Sequence, residues 1–378
     1  MTSVTDEGVE HIADTIRAAR ARNEPLCIVG AGTWLDAGRP RADAARLDVS
    51  SLAGITRYEP GDLVLSARAG TSLADIAAAT REHGQWLALD PPGSADGTIG
   101  ATVATASYGP LASAFGTPRD HLLGCEFVTG SGDIVRGGGQ VVKNVAGFDL
   151  VRLVTGAWGT LGPITEVTVR LRARPEVDRT LAVALDAEPA ETLWRWLRES
   201  EFTPLAAELL SPSLAAALAV GNGTVALIRL GGNETFVRAA RDAVGTLGLA
   251  HEVPSSVWDR FARAESASSL AVRVSALPSY ADSLWRRALE FVEATGGYAH
   301  ATCARGVVRC VAPSDGVDID VLRAALLRFA DGVSIVGERM PAHLWSALPS
   351  ARSTRDLEAR IRTAFDPAHI LNSGVLGT

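Results

Sequence analysis

The chain has 378 residues, 47% apolar and 21% charged, with 36 basic against 43 acidic side chains and a formal net charge of −7. At roughly 150 residues per domain the length allows two or three domains, and the composition excludes a disordered or fibrous chain. No apolar run nears the ~18 residues of a membrane-spanning helix. The acidic balance argues against nucleic acid as a partner. Residues 1–10 carry no basic-then-apolar leader, so a cytoplasmic protein with no membrane span is expected.

The chain order opens with a helix over residues 5–23. Thr5 caps it, Asp6 and Glu7 suit its N-terminal end, and Val9, Ile12, Ala13, Ile16 and Ala19 recur at helical spacing. Residues 26–29 read as a short strand ending at Gly30, and residues 46–49 and 63–69 as two more. Ser72 caps a second helix over 73–83 that stops at Gly84. Residues 86–89 read as another strand. From 91 to 116 glycine, alanine, serine and threonine dominate and charge nearly vanishes, as for backbone that must lie close to something buried. A strand over 123–129, a turn over 130–133 and a glycine run over 137–139 follow. Residues 163–172 alternate, with Val167, Val169 and Leu171 on one face, which predicts a half-buried strand.

The charged stretch 172–178, with Pro175, marks a first boundary. Beyond it, residues 179–345 hold helices near 188–200, 233–247 and 280–294 between short strands. A last helix over 351–364 leads to a glycine-containing tail.

Three motifs carry chemistry. The first is Val29-Gly30-Ala31-Gly32-Thr33-Trp34 after a strand, where two glycines let amide N–H groups form a nest for phosphate oxygens. Leu35 stands where the dinucleotide fingerprint needs a third glycine, and no Lys-Ser/Thr pair makes it a P-loop. Alone, this motif reads as an ordinary strand-to-loop turn. The second runs from Asp90-Pro91-Pro92-Gly93 through Thr98-Ile99-Gly100-Ala101-Thr102-Val103-Ala104-Thr105-Ala106-Ser107-Tyr108-Gly109, whose amides and small hydroxyls suit a long, flat ligand or a tight helix–sheet contact. Arg119-Asp120 follows and reads as a surface ion pair. The third runs from Gln140 through Lys143 to Leu150, followed by Gly156-Ala157-Trp158-Gly159-Thr160-Leu161-Gly162-Pro163-Ile164-Thr165-Glu166.

In this order the three motifs, with the tail Asp366-Pro367-Ala368-His369-Ile370-Leu371-Asn372-Ser373-Gly374, resemble the vanillyl-alcohol oxidase superfamily, whose FAD-binding domain is called PCMH-type. Leu47-Asp48-Val49, Tyr58-Glu59-Pro60, Ala67-Arg68-Ala69-Gly70-Thr71 and Lys143-Asn144-Val145-Ala146-Gly147-Phe148-Asp149 are similar to the E subunits of bacterial glycolate oxidases. The likeness covers the first half and thins over 179–345. It implies an α+β fold: a two-lobed PCMH-type FAD-binding domain (1–175), an α/β cap domain with an antiparallel sheet for substrate or docking (176–345), and a C-terminal segment (346–378) returning to the first domain.

The resemblance also implies site residues. Gly30, Ala31, Gly32, Thr33 and Trp34 would hold the FAD pyrophosphate. Pro92, Gly93, Thr98, Gly100, Ala104, Thr105, Ser107 and Gly109 would line the cofactor, with Asp120 on its adenine side. Ile164 would meet it through the backbone, and Asn372 would approach the ring system. The nest holds no histidine, so FAD is expected to be non-covalent. Lys143 is the candidate for the substrate carboxylate, with contact to backbone carbonyls as the alternative reading; Phe148 stands where the family often has tyrosine.

The implied metal site departs from the family. His300-Ala301-Thr302-Cys303-Ala304-Arg305-Gly306-Val307 lacks the second histidine of a His-x6-His pair, and Glu338 precedes Arg339 rather than histidine. No metal is therefore expected. His300 and His343 read as structural, and Arg273, Arg309 and Arg339 as surface side chains or carboxylate binders. Cys27, Cys125, Cys303 and Cys310 are too sparse for a disulfide framework or an iron–sulfur cluster.

The implied function is the FAD-binding subunit of a glycolate-oxidase-type complex. It would oxidise a small 2-hydroxyacid, glycolate to glyoxylate, beside a paralogous flavoprotein subunit, and pass electrons to an iron–sulfur subunit, with any contact with the inner face of the membrane going through these partners. The alternatives are a stand-alone FAD-dependent oxidoreductase acting on CH–OH groups and a non-catalytic FAD-binding regulatory subunit.

Overall fold

The computed structural model describes residues 4–34, 36–39, 43–139, 149–186, 188–265, 269–329, 333–348 and 355–375. Helix α1 (Val4–Arg22) buries Val9, Ile12, Ala13, Ile16 and Ala19, the apolar stripe its spacing predicts. The stripe packs on the parallel pair β1 (Leu26–Val29) and β2 (Ala45–Asp48). The tail completes this layer. Leu26 N–H donates to the Ile370 carbonyl at 2.7 Å, and Asn372 N–H to the Leu26 carbonyl at 2.9 Å. Asn372 then works sideways. Its Oδ1 accepts from Ile28 N–H at 2.8 Å and its Nδ2 donates to the Trp158 carbonyl at 2.7 Å. One amide thus joins β1, the tail and the loop around residue 158.

The second lobe is an antiparallel sheet of β3 (Ile55–Glu59), β4 (Val64–Arg68), β6 (Leu122–Val128), β7 (Ile134–Gly138) and β8 (Ile164–Arg170), ordered β3-β4-β8-β6-β7. In β8, Val167 and Val169 are buried between half-exposed neighbours, as the alternation predicts. Helix α2 (Leu73–Arg81) starts at Ser72, whose Oγ accepts from Asp75 N–H at 2.9 Å. The expected strand at 86–89 is only β5 (Gln85–Trp86), paired with β9 (Arg172–Ala173). Pro91 and Pro92 lie just beyond, and proline has no N–H to offer a ladder. The neutral stretch after them contains helix α3 (Ile99–Thr105), which its small-residue composition does not predict.

The remaining strands form one eight-stranded antiparallel sheet: β10 (Val177–Ala184), β11 (Ala206–Leu210), β12 (Val225–Gly232), β13 (Ala250–Val253), β14 (Ser269–Ser275), β15 (Tyr298–Thr302), β16 (Val307–Pro313) and β17 (Ser334–Arg339), ordered β13-β10-β12-β11-β15-β16-β14-β17. Both faces are covered. Leu181, Leu209, Ile228 and Leu230 meet the helices Pro189–Glu199, Glu234–Val244 and Ala281–Thr295. Ala182, Leu210, Val225 and Leu227 meet the short helices Pro212–Ala217 and Val257–Ala262. The last helix is Arg355–Phe365, and the 351–354 part of the expected helix lies outside the described residues. Among the described residues no helix is long and apolar enough to cross a membrane.

Asn372→Ala removes two cross-links at once. Each such hydrogen bond contributes about 0.5–1.5 kcal/mol net, so the variant should lose about 1–3 kcal/mol in a urea titration. A wild-type midpoint would show that the tail is held by its backbone bonds alone.

Candidate functional site

Between the first two lobes lies a cleft of about 330 Å³. Its floor is the loop after β1. A Cβ added at Gly30 would sit 2.8 Å from Thr98 Oγ1, so this backbone lies directly against the residue that caps α3. Gly32 has a φ of +73°, which side-chain-bearing residues rarely adopt. The opposite wall comes from α3 and the 158–164 loop. That loop is tied to α3 by Trp158 N–H on the Ala104 carbonyl at 2.8 Å.

The lining is small, amide-rich and electrostatically one-sided. Arg39 and Arg46 are its charged residues, and no aspartate or glutamate lines it among the described residues. Arg39 lies 5.4 Å over the Trp345 ring. Cys27 also lines the cleft; burial pushes its thiol up, with Arg46 opposing. A small-residue loop and two cations without a carboxylate suit a phosphate-bearing ligand, and the small uncharged residues lining the rest suit flat rings. The donor set therefore fits the FAD that the resemblance implies.

Gly30, Ala31, Gly32, Thr33, Trp34, Pro92, Gly93, Thr98, Gly100, Ala104, Thr105, Ser107, Ile164 and Asn372 all line this cleft. Two expected residues stand elsewhere. Gly109 packs under Asp90 and lines a smaller pocket. Asp120 closes a capping box, accepting from Thr117 N–H at 2.8 Å and from its hydroxyl at 3.0 Å. Lys143 and Phe148 lie outside the described residues.

The smaller pocket meets the cleft at Pro92 and is lined by Asp90, Tyr108, Phe261, Glu265, Tyr298, His300 and Arg309, among others. Its back wall is an ion network. Arg309 pairs with Glu265 at 2.7 Å and with Glu338. Arg339 reaches Glu265 at 3.1 Å and Asp36 at 2.9 Å, and Arg273 reaches Glu338 at 2.7 Å. Arg309 and Arg339 are 7% and 5% exposed, so the expected surface arginines are buried ones. His300 is a satisfied histidine. Its Nδ1 lies 2.8 Å from Glu208, a residue 92 positions away that no sequence motif marks. Among the described residues no three His, Cys, Asp or Glu side chains group as a metal site.

Asp90 sits between cleft and pocket. Part of the residue reaches solvent, but its carboxyl is enclosed. Burial pushes its pKa up to about 8, against the Leu111 N–H bond and the Arg229 charge. An unfolded aspartate titrates near 4. Between about pH 4 and 8 the native state therefore holds a proton that the unfolded state has released, and stability falls as pH rises through that window. Asp90→Asn should approach wild type at about pH 4 and exceed it increasingly up to pH 8 in chemical denaturation; parallel pH profiles would contradict this. In the cleft, Gly30→Val should fold normally by circular dichroism yet lose uptake of FAD, because the side chain displaces Thr98. Full FAD loading of that variant would remove the nest from the site.

A family model described as an FAD binding domain matches residues 4–138. The chain is 34% identical over 250 residues to glycolate oxidase subunit GlcE of Escherichia coli (strain K12), covering 66% of this chain and 67% of that one. It is 31% identical over 179 residues to glycolate oxidase subunit GlcD of Bacillus subtilis (strain 168), covering 47% and 38%. A mitochondrial D-lactate dehydrogenase (cytochrome) of Arabidopsis thaliana is 29% identical over 170 residues, covering 44% and 29%. The chain thus spans well under half the length of the last two. A solved alkyldihydroxyacetonephosphate synthase shares the fold at a TM-score of 0.68 and 15% identity, covering 96% of this chain and 75% of that one. On the two-thirds overlap with the glycolate oxidase subunit, the chain belongs to the FAD-binding, PCMH-type flavoproteins, a family of FAD-dependent oxidoreductases.

Proposed function

We propose that this chain is the FAD-carrying subunit of a glycolate-oxidase-type complex that oxidises a small 2-hydroxyacid, with glycolate going to glyoxylate. The observation that carries the reading is the cleft, whose lining holds small residues and no carboxylate among the described residues, in a chain 34% identical over 250 residues to a glycolate oxidase subunit. Bound FAD would supply the two-electron acceptor. Gly30, Ala31, Gly32, Thr33 and Trp34 would hold its pyrophosphate through amides, assisted by Arg46. Thr98, Gly100, Ala104, Thr105, Ser107 and Ile164 would flank it, and Asn372 would fix the loop beside its ring. No histidine lines the cleft among the described residues, which supports non-covalent attachment.

Lys143 remains the proposed partner of the substrate carboxylate, where a charge-assisted hydrogen bond is the natural chemistry. The chain has four cysteines, three of them buried, too few for the clusters an electron relay needs, so onward electron transfer is assigned to an iron–sulfur partner beside a paralogous flavoprotein. The complex is placed in the cytoplasm, with any membrane contact going through those partners.

The test is the visible spectrum of the FAD-loaded chain before and after anaerobic glycolate or D-lactate. Bleaching of bound flavin is expected. Flavin that stays oxidised with both acids, in the chain alone and co-expressed with its partner subunits, would overturn the hydroxyacid reading.

A further inference from the structure

We propose that His300, oriented by Glu208, is the group that accepts the hydroxyl proton of the substrate in the small pocket beside the cofactor cleft. This rests on the 2-hydroxyacid reading above and adds the proton acceptor that reading requires.

The geometry begins with strand register. His300 and Thr302 stand two residues apart on β15 and so share one face. Both reach Glu208 on the neighbouring β11. Thr302 Oγ1 donates to Glu208 Oε1 at 2.5 Å, and His300 Nδ1 lies 2.8 Å from Oε2. The Glu208 side chain is fully enclosed. A carboxylate whose oxygens both accept fixes the proton on Nδ1, which leaves the Nε2 lone pair free to accept. The Phe261 ring stands edge-on to the imidazole at 4.7 Å and restrains its plane. Nε2 has no hydrogen-bond partner among the described residues, and His300 lines the pocket that meets the cleft at Pro92.

The other polar groups facing this pocket are already engaged. Arg309 is held by Glu265 and Glu338, and Glu265 in turn by Arg309 and Arg339. Burial keeps Asp90 protonated near neutral pH and holds Tyr298 neutral. Tyr108 packs under the guanidinium groups of Arg273 and Arg305. The imidazole is the base left over. In the proposed step the substrate O–H bond breaks and its proton moves to His300 Nε2, where Glu208 stabilises the resulting imidazolium. FAD, where bound, would supply the acceptor for the carbinol hydrogen as hydride, so that a 2-oxoacid would remain.

Oxalate, a planar dianion that mimics the deprotonated hydroxyacid, is the probe. Calorimetric titration of the FAD-loaded chain in buffers of different ionisation enthalpy should show proton uptake on binding, with affinity falling as pH rises. His300→Gln should load FAD normally, bind oxalate more weakly at pH 6 and take up no proton. Glu208→Gln should keep the pocket and move the pH dependence to lower pH, which a purely structural role would not do. Oxalate binding by wild type without proton uptake would overturn the proposal, as would a His300→Gln variant with an unchanged pH profile. Glycolate bleaching at the wild-type rate in His300→Gln would overturn this inference and leave the hydroxyacid reading standing. A wild-type flavin that no hydroxyacid bleaches would overturn both.

Discussion

The buried charge network around Arg309 and Arg339 ties the eight-stranded sheet to the cofactor loop. Taking a guanidinium out of water costs several kcal/mol unless it is paired and hydrogen-bonded. Here Glu265, Glu338 and Asp36 meet that demand from three separate segments. Asp36 belongs to the loop after the phosphate nest, and Arg339 also lies 5.6 Å over the Trp34 ring. The backbone follows the same path, with Gly38 N–H donating to the Glu338 carbonyl at 2.8 Å. The charges can be buried only if the sheet and the nest loop stay together, so the shape of the cleft depends on them.

This divides the chemistry between the two halves of the chain. The first half contributes amides, small hydroxyls and two cations, a surface for holding a cofactor. The second contributes side chains that can exchange protons or counter charge, held on one sheet and facing the first half. The tail closes the first half through Asn372, whose amide side chain is too short to bond Ile28 and Trp158 unless β1 and the 158 loop are already adjacent.

The pattern of likeness to other proteins follows the same division. The family model ends at residue 138, within the cofactor-holding half. Backbone cradling of one conserved chemical object needs glycines and small residues at set spacings, and these survive in sequence. A sheet that only has to present a pocket tolerates far more change, and the fold persists at 15% identity.

Helix α1, α2 and β8 were legible because each keeps one face in water, so apolar and polar residues alternate at the period of the element, and β1 as a short apolar run ending at Gly30. The nest and the small-residue stretch were legible for a related reason, since close backbone approach leaves few residue choices. The antiparallel cap sheet was expected through the resemblance, and no local period marked its strands. Both of its faces are covered, so a run such as Val225-Ala226-Leu227-Ile228 is buried throughout and carries no period. The arginines read as surface residues because charge alone does not reveal a partner 44 or 65 residues away. Glu208 and His300 are adjacent only because β11 and β15 pair across the sheet. The sequence by itself determined the cofactor-holding half, where function constrains local spacing. Only the tertiary structure decided which charges are buried and which base is oriented, because those are pairings between strands that no local pattern records.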